Sequence, residues 1–143
     1  MNDTVVDSSV VAKWIIAEPD SPQAQRLVAE GALQGNRLIV LDLAFVEVTN
    51  AIWKLHHRGL ATLDDARQFL DKLLNVSVQI QAAGPILKPA LEIACKYDRA
   101  VYDTLFVALC QDLGLPGVTA DEPLYRAINN DFPQIALMRN WIA

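Results

Sequence analysis

Short apolar runs alternate with longer, helix-like runs along all 143 residues of the chain. The short runs are rich in β-branched residues or alternate in polarity, which is typical of strands. They cover residues 4–6, 37–41, 76–80, 117–119 and 135–138. Because parallel strands need crossover connections, strands separated by helices predict a mostly parallel sheet covered by helices on both faces. The expected fold class is therefore α/β, arranged as a three-layer α/β/α sandwich.

The helix-like runs carry start and stop signals of their own. They cover residues 10–18, 22–35, 42–59, 62–75, 84–98, 102–114 and 121–130. Ser8 and Ser9 offer an N-cap for the first helix, and Asp42 offers one for the third. Thr62 precedes Asp65 by three residues, which resembles a capping box. Since no repeat or linker-like segment interrupts the pattern, we expect residues 1–143 to form a single domain.

Composition limits the possible classes of function. The chain is 52% hydrophobic and 20% charged, as globular proteins are, and its formal net charge is −5. That charge argues against a generally basic coat for nucleic acid, although a local basic stripe or a bound cation could still support binding. No run approaches the roughly 18 apolar residues of a membrane span, and no signal-peptide pattern is present. We therefore expect a cytoplasmic protein in which Cys95 and Cys110 are buried, reduced thiols.

Four acidic residues stand where an apolar core or a helix start is expected. Asp7 directly follows the first strand, and Asp121 comes two residues after the fourth. Glu47 has mainly apolar or small neighbours one helical turn away, and Asp103 begins a strongly apolar helix. Since sites in open α/β sheets form at the carboxyl ends of the strands, we expect these four carboxylates to lie together.

Each of these acids also has a simpler structural explanation, and the sequence leaves these explanations open. Asp7 and Asp121 could cap the helices that follow them. Asp103 could stabilise the dipole of its own helix. Glu47 could lie on an exposed polar strip of its helix. Glu122 could be the relevant acid instead of its neighbour Asp121.

A bound cation would explain why four carboxylates are tolerated in one place. Clustered carboxylates repel one another and raise each other's pKa. A set of oxygen ligands, with neither Cys nor His, favours a hard ion such as Mg²⁺ or Mn²⁺. Such an ion suits phosphodiester chemistry, because it generates hydroxide from water and stabilises charge on the leaving oxygen.

Four segments of the chain, taken in order, carry a family resemblance. They are VVDSSV at 5–10, LAFVEVTNAIWK at 43–54, VYDTLFVALCQDLG at 101–114 and VTADEPLY at 118–125. The ordered set resembles the PIN domain, and most closely the VapC-type ribonuclease toxins of prokaryotic toxin–antitoxin pairs. The resemblance spans nearly the whole chain, and no position of the motifs is lost.

The resemblance implies a Mg²⁺- or Mn²⁺-dependent endoribonuclease in which four acids are both catalytic and metal-binding. The family's acids correspond here to Asp7, Glu47, Asp103 and Asp121. Its supporting hydroxyl residues correspond to Ser9 and Thr119. The resemblance also implies an RNA substrate, a homodimer, and a cognate antitoxin whose C-terminal segment lies near the acidic site.

Basic residues that flank the motifs are candidates for contacts with RNA phosphates. They are Lys13, Lys54, Arg58 and Arg99. Each of them could instead be an ordinary solvated charge. A solvated charge is the commoner explanation for any one of them, and their position beside the acidic motifs favours contacts with RNA.

Two other functions remain open. An α/β phosphatase with Asp7 as nucleophile would usually carry a second Asp two residues later, where this chain has Ser9. A non-catalytic module, whose acids only bind a cation or a partner, would carry the same acids. Binding of Mn²⁺ without cleavage of any RNA would distinguish such a module from a nuclease.

Overall fold

The computed structural model describes residues 3–18 and 20–141, and the strands in these ranges form one sheet. The strands are β1 (Thr4–Val6), β2 (Leu38–Leu41), β3 (Gln79–Gln81), β4 (Gly117–Thr119) and β5 (Ile135–Leu137). Their spatial order is β3-β2-β1-β4-β5, and every neighbouring pair is parallel. The chain builds outward from β1 in one direction and then in the other. The gap between β1 and β4 is therefore the topological switch point, where ligands bind in sheets of this kind.

Seven α-helices in the described residues cover both faces of this sheet. They are α1 (Ser8–Ile15), α2 (Ser21–Gln34), α3 (Asp42–His57), α4 (Leu63–Leu74), α5 (Leu87–Tyr97), α6 (Val101–Leu113) and α7 (Glu122–Ile128). Short 3₁₀ turns at Gly84–Ile86 and Met138–Asn140 precede α5 and follow β5. The predicted parallel sheet and its three-layer α/β/α arrangement are confirmed.

Two apolar clusters, one on each face of the sheet, hold the layers together. Val5 of β1 packs with α5, α6 and α7, and Val6 packs with α1, α2, α3 and α4. Adjacent strand residues point to opposite faces, so β1 supplies both cores. Every residue of β1 is buried, so the strand is held firmly at the centre of the sheet. The first residue of the site, Asp7, directly follows it.

Several boundaries differ from the sequence-based prediction, and three of the differences have a clear local cause. β3 begins at Gln79 and not at residue 76, because Val76 and Val78 pack against the second cluster without pairing with β2. Asp7, and neither serine, caps α1: its Oδ1 accepts a hydrogen bond from the backbone N–H of Ser8 at 2.9 Å. The carboxylate one residue earlier already satisfies a free N–H of the helix.

The cap of α3 is also displaced by one residue. Leu41 holds the cap position without a side-chain bond, and Asp42 is the first helical residue. Oδ1 of Asp42 instead accepts from the N–H groups of Leu43 and Ala83 at 2.7 and 3.2 Å.

Two other local predictions have clear outcomes. The capping box of α4 is confirmed, since Thr62 and Asp65 exchange both bonds, at 2.9 and 3.0 Å. The expectation of two buried thiols is right for Cys110 and wrong for Cys95, which is exposed on α5. No helix within residues 3–18 and 20–141 is long and apolar enough to cross a membrane.

Candidate active site

Asp7 lies at the switch point, where β1 ends beside β4. Its backbone N–H donates to the carbonyl oxygen of Val118 at 3.0 Å, which extends the pairing of the two strands. Only 9% of Asp7 is exposed. The sheet therefore fixes the backbone of Asp7, as expected for a residue that ends a central strand.

Three hydrogen bonds hold the carboxylate of Asp7. Oδ1 accepts from the backbone of Ser8, while Oδ2 accepts from the hydroxyls of Ser9 at 2.8 Å and Thr119 at 2.7 Å. The two hydroxyl oxygens accept in turn from the N–H groups of Ala120 at 2.9 Å and Asp121 at 3.1 Å. This network joins β1 and α1 to the loop that carries Asp121. Ser9 and Thr119 thus both bond to the carboxylate of Asp7.

Burial raises the pKa of Asp7 to about 6, even though the hydrogen bonds from Thr119 and Ser9 act in the opposite direction. The negative charge of Asp121 raises the pKa further. An ionised Asp7 therefore costs the folded protein free energy at neutral pH.

Glu47 lies on α3 and is half-buried beside Asp7. The hydroxyl of Ser8 donates to its Oε2 at 3.2 Å. Burial raises the pKa of Glu47, and the charges of Asp7 and Asp103 raise it further. These interactions show that Glu47 faces the switch point. The alternative explanation, that it lies on an exposed polar strip of its helix, is therefore not supported.

Asp103 and Asp121 each make a structural contact and also interact electrostatically with other acids of the site. Asp121 caps α7, because its Oδ1 accepts from the N–H of Leu124 at 3.1 Å. Asp103 pairs with Arg99, whose guanidinium lies 3.3 Å from Oδ2. Burial raises the pKa of Asp103, and so does the charge of Asp121, while Arg99 lowers it. The simple capping explanation is correct for Asp121, yet it does not remove the residue from the cluster.

The four acids form a ring of interacting charges, but their carboxylates are not arranged as a complete set of metal ligands. Asp7 interacts with Glu47 and Asp121, and Asp103 interacts with the same two residues. Within residues 3–18 and 20–141, no three Asp, Glu, His or Cys side chains are gathered closely enough to hold a metal ion. Mutual repulsion favours this separation, as do the bonds that hold Glu47 to Ser8 and Asp103 to Arg99.

The predicted RNA-contacting residues fall into two groups. Lys13 is only 13% exposed and pairs with Glu18 at 2.5 Å and Asp20 at 2.7 Å. Arg99 pairs with Asp103, as described above. The remaining two, Lys54 and Arg58, are exposed at the C-terminal end of α3. The basic residues nearest the acids are therefore already neutralised by carboxylates.

Two further residues lie at this site, although the sequence did not indicate them. Ser8 was interpreted only as a helix cap, yet its hydroxyl binds Glu47. Arg139 follows β5 by two residues and lines a pocket together with Asp121. The rule that sites collect at the carboxyl ends of strands would have indicated Arg139 if it had been applied to β5 as well.

Replacing Thr119 with Val tests the network directly. The change removes a donor to Oδ2 of Asp7, so we expect the pKa of Asp7 to rise above its wild-type value of about 6. A ¹³C NMR titration of the side-chain carboxyl groups, in the absence of divalent metal, measures the shift. T104V is the matched control, because Thr104 is equally buried but bonds to the carbonyl oxygen of Ala90. An unchanged or lower pKa in T119V would contradict the network.

Comparison with known proteins agrees with this geometry. Residues 4–129 match the family described as PIN domain. Ribonuclease VapC3 of Pyrobaculum aerophilum is 36% identical over 122 residues, which cover 84% of this chain and 90% of the relative.

Solved structures show the same fold at lower identity. VapC20 of Mycobacterium tuberculosis, described as a toxin that cleaves the sarcin–ricin loop, aligns with a TM-score of 0.65 at 17% identity, covering 87% of this chain and 95% of its own. A toxin–antitoxin complex from Klebsiella pneumoniae aligns with a TM-score of 0.62 at 13% identity, covering 95% of this chain and 98% of its own. The family match covers residues 4–129, and the acids lie at the switch point of the sheet. The chain therefore belongs to the PIN-domain family and is similar within it to the VapC ribonucleases.

Proposed function

We propose that this chain is a divalent-metal-dependent endoribonuclease and the toxin of a toxin–antitoxin pair. The observation that carries the proposal is the ring of four interacting carboxylates at the switch point of the sheet. The 36% identical relative bears the name ribonuclease, which supports RNA as the substrate class.

The residues of the ring fit a hard divalent cation. All four side chains offer carboxylate oxygens, which Mg²⁺ and Mn²⁺ prefer. Burial and mutual repulsion raise the pKa of Asp7, Glu47 and Asp103, and positive charge at the centre would offset that cost. Glu47 and Asp103 would exchange their present partners for the cation. When bound, such an ion supplies an activated water and neutralises charge on the phosphate.

The chain's own residues would position these groups. Asp7 is the most firmly held of the four, since both of its oxygens accept hydrogen bonds. Ser9 and Thr119 keep Oδ2 in place and so act through Asp7, as supporting groups around a metal site do. Arg99 pairs with Asp103 in the metal-free protein and so lies at the same edge of the ring.

The proposal includes a set of partners and a location. A cognate antitoxin is supported by the solved toxin–antitoxin complex, which shares the fold over 95% of this chain. We also propose that the chain acts as a single domain, forms a homodimer, resides in the cytoplasm and takes RNA as its substrate.

A second candidate is a non-catalytic module that binds a cation or a partner. The observation that favours it is the lack, within the described residues, of three metal-binding side chains gathered in one group. A phosphatase with Asp7 as nucleophile is less well supported, because three hydrogen bonds already occupy its carboxylate.

Cleavage assays with and without metal separate the nuclease from the module. We expect the antitoxin-free protein to cut RNA internally with Mg²⁺ or Mn²⁺, and EDTA to abolish the activity. D103N should lower the rate more than about 100-fold, since loss of even an outer-shell partner of a metal site costs 10–100-fold. Sequencing of the new RNA ends after induction identifies the cut sites.

D71N is the matched control, because Asp71 is an exposed acid on α4 with no part in the ring. It should keep the wild-type rate. Full metal-dependent cleavage by D103N would remove that residue from the proposed mechanism. Binding of Mn²⁺ with no cleavage of any RNA would favour the module.

A further inference from the structure

A pocket of about 370 Å³ opens beside Asp121. It lies where β4 and β5 end, and its lining includes apolar residues, such as Pro123 and Met138, and charged ones, including Asp20 and Arg139. Its size is within the range of small-molecule sites. Because Asp121 belongs both to the pocket and to the carboxylate ring, whatever occupies the pocket lies next to the site of cleavage.

Arg139 is held at this pocket by Glu122. Its Nη1 lies 2.5 Å from Oε1 of Glu122, and its side chain is 62% exposed. Arg126 approaches the other oxygen, Oε2, at 3.4 Å. Both oxygens of Glu122 are thus engaged by arginines, so this acid is not a free member of the carboxylate ring.

The acidic lining of the pocket is largely neutralised. Lys13 pairs with Asp20 at 2.7 Å, and two guanidinium groups pair with Glu122. Asp121 remains, and the proposed cation would offset its charge. An anionic strand can therefore approach this pocket without meeting three bare carboxylates.

Arg139 is also better placed to bind a strand than the two predicted basic residues nearest the acids. Lys13 is mostly buried between two acids, and Arg99 is paired with Asp103. Arg139 is exposed, and among the described residues its side chain pairs with Glu122 alone. A guanidinium carries five donors in a fork that matches phosphate oxygens, so most of them are available to a ligand.

We propose that this pocket binds one nucleotide of single-stranded RNA next to the cleaved bond, with Arg139 contacting its phosphate. The inference rests on the proposed ribonuclease function and names a positioning residue for it. Glu122 holds the guanidinium at the rim until the phosphate replaces it. The apolar residues receive the base and sugar, since burying apolar surface against them removes it from water.

The pair of Arg139 and Glu122 gives predictions of opposite sign. R139Q removes a phosphate contact, so we expect the affinity for RNA to fall about 5- to 10-fold. E122Q removes both the competitor for Arg139 and a negative charge, so we expect the affinity to rise. A purely structural ion pair would make both variants weaker in the same way.

Fluorescence anisotropy with a short single-stranded oligoribonucleotide measures these affinities, in Mg²⁺ and with every variant carrying D103N so that the RNA is not cut. For R139Q the slope of log K against log salt should fall in magnitude by about 0.7, the value for one phosphate contact on a single strand. R126Q is the matched control: Arg126 shares the same acid but does not line the pocket, so its affinity should change less than twofold. R139K, which keeps the charge, should recover part of the loss.

Cleavage kinetics in Mg²⁺ give the second readout. R139Q should raise KM with kcat nearly unchanged, because the contact is made equally before and during the reaction. Equal weakening by R139Q and R126Q, unchanged RNA affinity in R139Q, or weaker binding by E122Q would each overturn the inference. Its failure is distinguishable from that of the proposed function: a wild-type protein that cuts RNA while R139Q behaves normally refutes only the pocket. RNA binding that depends on Arg139 without any cleavage refutes only the nuclease.

Discussion

D7N should abolish RNA cleavage while making the metal-free protein more stable at pH 8. Asp7 is 9% exposed, and burial raises its pKa to about 6 from the ordinary value of 3.8. The ionised carboxylate therefore disfavours the folded state at pH 8. Asn cannot ionise, so the variant escapes that cost.

The direction of the pH dependence follows from the raised pKa. Between pH 3.8 and about 6 the folded protein binds more protons at Asp7 than the unfolded chain does. The free energy of unfolding therefore falls as pH rises through this window, and the full penalty is present above it. A shift of about two pKa units corresponds to about 3 kcal/mol at most. We expect D7N to recover ~2 kcal/mol, or roughly 5 °C in melting temperature for a chain of this size.

Asn also fits the hydrogen bonds around the position. Its side-chain oxygen can still accept from the N–H of Ser8. Its amide group would donate to Ser9 and Thr119, whose hydroxyls can accept as well as donate. Ser9 and Thr119 lie 3.3 Å apart, so one hydroxyl can donate to the other, while the second O–H loses its acceptor. That lost hydrogen bond, at about 1 kcal/mol, is why the expected gain is smaller than the full penalty.

Thermal melts in EDTA from pH 4 to pH 8 measure the effect, with D71N as the exposed control. We expect wild type and D71N to lose the same amount of stability across this range, and D7N to lose less. Loss of activity together with a gain in stability is typical of a functional residue that the fold tolerates at a cost. A D7N protein that is less stable than wild type at pH 8 would show that the carboxylate is structural.

The sequence was sufficient for the architecture because the signals are local and periodic. Strand β4 was located at its observed residues, and the capping box of α4 follows directly from Thr62 and Asp65. Strand β3 was placed too early, since the apolar residues of 76–78 face the core from a loop. An alternating apolar pattern indicates which side chains are buried. It does not indicate whether the backbone pairs with a neighbouring strand.

The electrostatic interaction of the four acids was also predictable, whereas their hydrogen-bond partners were not. The rule for parallel sheets brought Asp7 and Asp121 to one edge, and the structure places Glu47 and Asp103 within their electrostatic field. Long-range contacts, such as the bond between Ser8 and Glu47, depend on how α1 and α3 pack. The same limit applies to Arg139, whose partner Glu122 is close in space but distant in sequence.

Gly117 is a further feature that the sequence did not reveal, and G117A should be among the most destabilising small substitutions in this chain. A Cβ at this position of β4 would lie 2.4 Å from Sγ of Cys110 and 2.8 Å from Cζ of Phe106. Both side chains belong to α6 and are 2% exposed or less. Neither can move into open space, so α6 must shift away from the sheet.

We expect G117A to lower the free energy of unfolding by about 3 kcal/mol, at the upper end of the usual cost of overpacking. Urea unfolding at pH 7 measures the change. The shift of α6 would also displace Asp103 from the switch point, so cleavage should fall even at temperatures where the variant is folded. G114A is the matched control: Gly114 has a φ of +63° with no atom near its added Cβ, so its cost of about 1 kcal/mol comes from the backbone alone.

A double-mutant cycle with C110A identifies the cause. C110A alone should cost about 1–2 kcal/mol, because it leaves a small cavity in the core. Combined with G117A it removes the closer of the two clashes, so the pair should be more stable than the sum of the single changes predicts by at least about 1 kcal/mol. The rescue should be partial, since the ring of Phe106 still meets the new Cβ, and C110A should not rescue G114A at all. Simple additivity between G117A and C110A would mean that the close approach of β4 to α6 does not limit this position.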